Sequence, residues 1–184
     1  GIDRRSCPDA SAVARTAEAY FLYQTRECNG PPANRRDALR TLGARYLTGT
    51  GLARGDYTLL RLNSVPEGTQ FAGWSTDELA MGAEAFGVHH PRGDYKRFSH
   101  GRRSTTGRQL AGANPDFYYT ARFDGGLIEG GSSGSGLFRE PGVLVGVLSS
   151  GPKTETADEA CAIRPYPANY GRFVDMYPTL KPFL

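Results

Sequence analysis

Apolar residues occur along this chain in short runs that glycine, proline and polar residues interrupt. The runs are rich in aromatic and aliphatic residues, and that pattern is typical of strands separated by turns. It predicts strands at residues 16–27, 44–48, 56–63, 71–74, 84–90, 117–123, 136–139, 143–149 and 169–173. It also predicts a short terminal helix at 174–180 and polar loops at 91–108 and 151–160.

Composition and charge narrow the class of protein. The 184 residues include 24 Gly, 12 Pro, 10 Tyr and 9 Phe, as expected of a loop-rich β-protein. No apolar stretch is as long as a membrane span and the N-terminus has no signal-peptide pattern, so we expect no membrane partner. The net charge is +3 and the arginines are scattered, which favours a mildly basic solvated surface over a nucleic-acid partner.

Candidate chemistry begins with residues 130–136, which read GGSSGSG. A nucleophilic serine needs an exposed hydroxyl on a tight turn, and nearby backbone N–H groups that converge on a developing oxyanion. Glycines on both sides permit that backbone path because they tolerate a positive φ. A flexible linker is the alternative. The apolar pairs at 127–128 and 137–138 favour a turn inside a folded domain.

An acid and three histidines are the other titratable candidates. Asp56 opens an apolar strand, where it would orient an imidazole or simply initiate the strand. His89 and His90 are adjacent on a predicted strand and point to opposite faces, which makes them poor joint metal ligands. A structural or groove-lining role for them is favoured over that of a general base. His100 lies in a charged predicted loop and is interpreted as a solvated surface histidine.

Several motifs together resemble the bacterial branch of trypsin-like serine proteases that includes lysyl endopeptidase. They follow the family's order and cover nearly the whole chain from Cys7 onward. The matching pieces are the strand ending at Cys28, GDYTLLRL, GVHHPRGDYK, GGSSGSGLF, VLVGVLSSGP and CAIRPYPANYGRF. The resemblance implies an all-β, chymotrypsin-like fold of two packed six-stranded antiparallel β-barrels with a short C-terminal helix. The N-terminal barrel, 1–107, would be incomplete and bear the acid, and the C-terminal barrel, 108–184, would bear the nucleophile.

The resemblance also implies roles for particular residues. Ser133 would be the nucleophile, the N–H groups of Gly131 and Ser133 would form the oxyanion hole, and Asp56 would orient the histidine. No metal or organic cofactor is implied, because side chains and backbone carry this chemistry. The substrate pocket would be lined by Leu127, Ser149, Ser150, Gly151 and Ala168. Lysine-specific members place an aspartate at the position of Ala168, so this chain is expected to have a more neutral pocket.

The match fails at the catalytic histidine. In the family this histidine directly precedes a cysteine, and Cys7 takes that cysteine's place, which leaves Ser6 at the expected histidine position. The counterparts of Cys7, Cys28 and Cys161 all pair with cysteines nearer the N-terminus, and those partners are absent here. Either the chain lacks its first strands or it is a diverged relative that has lost the histidine and the disulfides. The second explanation is favoured, because an ordered chain of this length would have to close its N-terminal barrel without the missing strands.

Two functions remain open at this point. The first is a serine endopeptidase that works through an acyl-enzyme at Ser133 when a histidine is supplied from outside this chain. The alternative is a catalytically dead protease-like module that binds peptides or proteins in the old substrate groove. A structural or toxin-like secreted domain is a weaker third. Expected partners are a peptide or protein ligand and an N-terminal segment or chain that carries the missing histidine and cysteines. The expected location is secreted or periplasmic.

Overall fold

Strands make up most of the ordered elements in the computed structural model, which describes residues 9–28, 30–31, 33–104 and 111–184. The strands are β1 Glu18–Phe21, β2 Leu39–Leu42, β3 Ala44–Thr50, β4 Tyr57–Leu62, β5 Gly73–Trp74, β6 Glu84–His89, β7 Arg97–Ser104, β8 Tyr118–Gly125, β9 Gly136–Glu140, β10 Val143–Ser150 and β11 Tyr166–Arg172. The α-helices are α1 Ala10–Arg15, α2 Ala157–Ala162 and α3 Phe173–Leu180. In the part of the chain described here, no helix is long and apolar enough to cross a membrane.

Contacts divide the chain into two compact units. The first comprises residues up to 48 together with 58–70. In it β1 pairs antiparallel with β2, from Glu18 opposite Leu42 to Phe21 opposite Leu39. Strands β3 and β4 form a second two-stranded sheet, with most of their residues in this unit.

The second unit, residues 49–57 and 71–184, contains a closed barrel. Around it the strands follow the order β6, β7, β8, β11, β10 and β9, and β9 pairs with β6 again. All six neighbouring pairs are antiparallel, and the short β5 adds to β10 in parallel. The predicted all-β fold is confirmed, with a six-stranded antiparallel barrel and a short C-terminal helix.

Every second residue of a barrel strand points inward, and these inward side chains fill the barrel interior. On β6 the buried positions are Ala85, Gly87 and His89, two residues apart, as a pleated strand requires. The core cluster is otherwise apolar, with Leu137, Val145, Leu148, Tyr119, Phe123 and Tyr170 among its members. These strands hold the loops at one end of the barrel, where the candidate site lies.

The predicted loop at 91–108 is wrong, because β7 runs through residues 97–104. Its inward positions are Ser99 and Gly101, both buried, while Phe98, His100 and Arg102 face outward. A Cβ at Gly101 would overlap the backbone of Arg122 on β8, so this inward position excludes larger residues. Small inward residues beside charged outward ones hide the strand from a search for apolar runs.

The loop predicted at 151–160 is also corrected, because α2 begins at Ala157. Thr156 caps it: its hydroxyl accepts a hydrogen bond from the Glu159 N–H at 3.2 Å, and the Glu159 carboxylate accepts from the Thr156 N–H. This capping box is a sequence signal for a helix start. The predicted terminal helix is confirmed by α3. The predicted domain boundary between 107 and 108 lies outside the described residues and stays a prediction.

Candidate active site

The loop between β8 and β9 carries the serine turn, residues 130–135. Backbone hydrogen bonds hold it, among them Ser132 N to Glu129 O at 3.1 Å, Gly134 N to Leu148 O at 2.9 Å, Ser135 N to Ser132 O at 3.1 Å and Leu148 N to Ser135 O at 2.8 Å. The turn places its two central serines on opposite sides. Ser132 is 1% exposed, whereas Ser133 is exposed to solvent. Only Ser133 can therefore meet a substrate directly.

Within the described part of the chain, unpaired backbone N–H groups belong to Ser133 and to the glycines just before it in the serine turn. The Gly130 carbonyl accepts a hydrogen bond from Arg92 N at 2.7 Å. Because a trans peptide holds its C=O and N–H antiparallel, the Gly131 N–H points away from Arg92. Among the described residues, the N–H groups of Gly130, Gly131 and Ser133 have no acceptor. The Gly131 and Ser133 groups are those that the sequence predicts for an oxyanion hole.

Asp56 lies in a second tight segment, residues 51–57, which follows β3. Gly55 and Asp56 both have positive φ, at 95° and 52°, and Asp56 N donates to Gly51 O at 3.1 Å. The segment packs closely on β11: a Cβ at Gly171 would overlap the Gly55 carbonyl and come within 2.5 Å of the Met176 Cε. The Tyr118 hydroxyl donates to Leu52 O at 2.7 Å. Packing and hydrogen bonding together fix the position of the carboxylate.

Ser149 contacts Asp56 and lines the cavity beside the serine turn. Its hydroxyl donates to Asp56 Oδ2 at 2.7 Å. Ser133 lines the same cavity. A hydroxyl bonded to one carboxylate oxygen leaves the other available for an imidazole N–H. The structure thus brings three residues that the sequence singled out, Ser133, Asp56 and Ser149, to one edge of the barrel.

The cavity beside Ser133 has a volume of about 330 Å³, within the range of small-ligand sites. Its walls are formed by 128–130 of the serine loop and by 148–154, with Arg92 and Tyr166. The predicted lining residues Ser149, Ser150 and Gly151 all contact it. Leu127 and Ala168 lie behind this wall, Leu127 partly buried and Ala168 0% exposed in the barrel core.

Two of the charged residues that line the cavity are paired with each other. The Glu129 carboxylate and the Arg92 guanidinium are 2.9 Å apart. The Tyr166 hydroxyl donates to Ile128 O at 2.8 Å, and burial raises the pKa of this tyrosine, which keeps it protonated. The buried residues that line the cavity, Ile128, Leu148 and Tyr166, thus present apolar surface and one neutral hydroxyl that already has a partner.

The three histidines lie apart from the Ser133 hydroxyl. His89 is 2% exposed inside the barrel, hydrogen-bonded to Ser132 and Ser99, and burial lowers its pKa to about 4. His90 Nδ1 lies 3.0 Å from the Asp94 carbonyl oxygen. His100 is on the outer face of β7, stacked on Phe98, rather than in a loop.

Sequence reasoning missed Ser132 and Ser99 as partners of His89. The period-two alternation of β6, which places His89 inward with Ala85, was the signal that could have found them. Ser6 and Cys7 lie outside the described residues, so the expected histidine position stays a prediction. Cys28 and Cys161 are exposed free thiols.

Comparison with solved structures places the fold. The HtrA-type protease AlgW, solved with a decapeptide, superposes with a TM-score of 0.57 at 16% identity, covering 80% of this chain and 42% of that one. The Rv3671c protease of M. tuberculosis in its active form gives 0.52 at 16% identity, over 83% of this chain and 64% of that one. The barrel is thus the fold of trypsin-like serine proteases.

The family follows from sequence. Residues 5–162 match the model of the lysyl endopeptidase C-terminal domain. The chain is also 36% identical over 157 residues to lysyl endopeptidase of Pseudomonas aeruginosa, an alignment that covers 79% of this chain and 32% of that protein. The chain belongs to the lysyl endopeptidase C-terminal domain family, and it spans about a third of the length of this curated relative.

Proposed function

We propose that this chain provides the nucleophile, the oxyanion hole and the acid of a trypsin-like serine endopeptidase, whose histidine comes from outside the chain. The observation that carries the proposal is the exposed Ser133 hydroxyl together with the unpaired N–H groups of Gly131 and Ser133. The Ser149 contact with Asp56 supports the assignment of the acid.

The proposed reaction has two steps. The supplied imidazole takes the Ser133 proton as the Ser133 Oγ attacks the scissile carbonyl, and the N–H groups of Gly131 and Ser133 stabilise the resulting oxyanion. Asp56 orients the imidazole and stabilises its protonated form. The imidazolium then protonates the leaving amine, which leaves an acyl-enzyme on Ser133. Water, activated by the same imidazole, hydrolyses this ester and restores the serine.

The lining of the cavity supports a proposal for the substrate class. A lysine or arginine side chain needs a buried acid to pair with, and Ala168 provides none. Glu129 is already paired with Arg92, so it does not supply the missing charge. The apolar surface formed by Ile128, Leu148 and Tyr166 suits an uncharged side chain of the substrate residue that precedes the scissile bond.

The proposal includes the partners and location of the chain. The ligand is a peptide or a protein in extended form, and the histidine is supplied by an N-terminal segment or a separate chain that also carries cysteine partners. The decapeptide seen with AlgW supports a peptide ligand on this fold. The exposed thiols of Cys28 and Cys161 are accessible for such pairing. We place the protein in a secreted or periplasmic compartment, where disulfides persist.

Labelling with a fluorophosphonate tests the catalytic proposal. We expect slow labelling of the chain itself, and a rate about 100-fold higher in a Ser6→His variant, as a general base contributes. Ser133→Ala removes the label in both backgrounds, whereas Ser135→Ala, a change in the same turn, retains it. Peptide mapping locates the adduct. A label on another residue contradicts the proposal, and equal rates in Ser6→His and the parent chain contradict the assignment of position 6 to the histidine.

A second function, peptide binding without turnover, is favoured by one observation, the serine at position 6. This function would use the cavity beside Ser133 and would bind the same class of uncharged peptide side chains. Under this alternative, Ser133 stays inert in the parent chain, and added peptide ligands bind without being cleaved. Mass spectrometry of a peptide incubated with the chain and the histidine-bearing segment together therefore separates the two functions, because only the first predicts cleavage.

A further inference from the structure

A run of buried polar groups lies directly beneath the serine turn. Ser99, His89 and Ser132 are 0%, 2% and 1% exposed. The His89 Nε2 lies 3.0 Å from the Ser99 Oγ, and its Nδ1 lies 2.9 Å from the Ser132 Oγ. Strands β6 and β7 supply the first two residues, and the turn supplies the third. The proposed reaction uses none of the three.

The other contacts of the two serines determine the direction of each hydrogen bond. The Ser99 hydroxyl donates to Leu127 O at 3.2 Å, so it accepts from His89, whose Nε2 must carry the proton. The unprotonated Nδ1 then accepts from the Ser132 hydroxyl. The Ser132 Oγ accepts in turn from the Glu129 N–H at 3.4 Å. One neutral tautomer of His89 therefore satisfies every group in the run.

Ser99, His89 and Ser132 together connect strands β6 and β7 to two points of the loop that carries Ser133. The run reaches the loop at Leu127, through the carbonyl, and again at Ser132, next to Ser133. The Ser132 side chain is drawn inward to His89, whereas Ser133, the next residue, is exposed. The backbone on either side of Ser132 also carries the unpaired N–H groups of Gly131 and Ser133. We therefore expect a change at His89 to alter the positions of the Ser133 side chain and of the Gly131 and Ser133 N–H groups.

The charged groups around His89 do not compete for its ring nitrogens. Arg97, opposite His89 on β7, pairs with Asp94 at 2.9 Å, and Glu129 pairs with Arg92 at 2.9 Å. His90, the next residue, has its Nδ1 beside the Asp94 carbonyl. The two serines thus remain the hydrogen-bond partners of the imidazole.

We propose that His89 is a positioning residue, which holds Ser132 inward and so sets the conformation in which the turn presents Ser133 and its flanking N–H groups. The consequence for catalysis rests on the proposed function. The positioning itself does not, because it concerns the conformation of residues 130–135 in the chain as it stands.

Amide hydrogen exchange tests the positioning. We expect His89→Gln, which keeps a donor near Nε2 but loses the acceptor near Nδ1, to speed exchange at Gly134 and Ser135 at least tenfold. Ser132→Ala has the same effect, and the double variant exchanges no faster than either single one. His89→Asn, which retains an acceptor near Nδ1, recovers most of the protection. The matched control Tyr119→Phe removes a buried hydroxyl that contacts Leu79 N, and it leaves the turn unchanged.

Nitrogen NMR of labelled histidine provides a spectroscopic readout that packing alone does not affect. At neutral pH we expect His89 with Nε2 protonated and Nδ1 unprotonated, and Ser132→Ala shifts the Nδ1 signal. Unchanged exchange at the turn, additive effects in the double variant, or the opposite tautomer overturns the proposal. Neither measurement needs a reactive Ser133. Failure of the fluorophosphonate test with these results intact therefore removes the catalytic function and leaves the positioning.

Discussion

The serine turn, residues 130–135, and the acid segment, residues 51–57, are both short and contain residues with positive φ, but they are held in different ways. A buried hydrogen bond between Ser132 and His89, whose ring also contacts Ser99, holds the serine turn from below. The acid segment is held mainly by close backbone packing on β11, where Gly55 meets Gly171. We therefore expect protonation of His89 to affect the serine turn, and added side-chain volume at Gly171 to affect the acid segment.

Adding a methyl group at Gly171 should give the largest effect. Its Cβ would overlap the Gly55 carbonyl and press on Met176, so the acid segment must move. We expect Gly171→Ala to lower the free energy of unfolding by about 3 kcal/mol or more, at the upper end for an overpacked site. The matched control is Gly51→Ala in the same segment, where the new Cβ meets nothing within 4 Å and the change stays within about 0.5 kcal/mol. Denaturation by urea measures both, and equal effects contradict the packing account.

Acid should loosen the serine turn through His89. The fold holds this imidazole neutral with a pKa of about 4, whereas in the unfolded chain it titrates at its ordinary value of 6.5. The contribution of neutral His89 to the free energy of unfolding is therefore complete above about pH 6.5. As the pH falls towards 4 this free energy decreases by about 3 kcal/mol. Urea denaturation between pH 4 and 7 measures this slope. His89→Gln should remove it and the exposed His100→Gln should retain it; a slope that survives His89→Gln contradicts the account.

The Ser149 link should have a moderate effect. Ser149→Ala removes the hydroxyl that donates to Asp56, a partly buried charged hydrogen bond. We expect a loss of about 2 kcal/mol in the free energy of unfolding. The change should also speed amide exchange at Asp56 without affecting residues 130–135. Faster exchange in the serine turn instead would show that the two regions are not held independently.

The surface pair that lines the cavity should matter least. Arg92→Ala removes the ion pair with Glu129, and the arginine side chain is 60% exposed. The free energy of unfolding should change by about 0.5 kcal/mol or less, as for other exposed pairs. The unpaired Glu129 should then improve binding of a peptide with lysine before the scissile bond. A change above about 2 kcal/mol contradicts the view of this pair as a surface contact.

The sequence predicted the parts of the molecule in which local patterns and burial agree. Apolar strands such as β8 and β10 and the helix α3 were found because their side chains have strong local signals. Strand β7 was missed because its inward residues, Ser99 and Gly101, fill a narrow space and carry no apolar signal. The barrel order was available only through resemblance, because strand pairing is a long-range property.

The candidate site likewise contains residues that the sequence predicts and residues that only the fold brings together. The motif around Ser133 and the acid Asp56 were visible in sequence, and the structure brings both to Ser149. The partnership of His89 with Ser132 was not visible, because 43 residues separate them and only the folded barrel brings them together. Short motifs identify reactive groups, whereas the groups that position them come from distant strands.

The most direct test of the central claim is the binding of two peptide boronic acids that differ only in the residue bound in the cavity, leucine or lysine. Calorimetry should show the leucine ligand binding at least tenfold more tightly. Ser133→Ala should weaken it, because the boron no longer has a serine oxygen to bond. Gly151→Val should also weaken it, because the new Cβ lies 2.9 Å from the Ile128 Cδ1 and narrows the cavity. Tighter binding of the lysine ligand, or unchanged affinity in both variants, would contradict the account of this cavity as a substrate pocket for uncharged side chains.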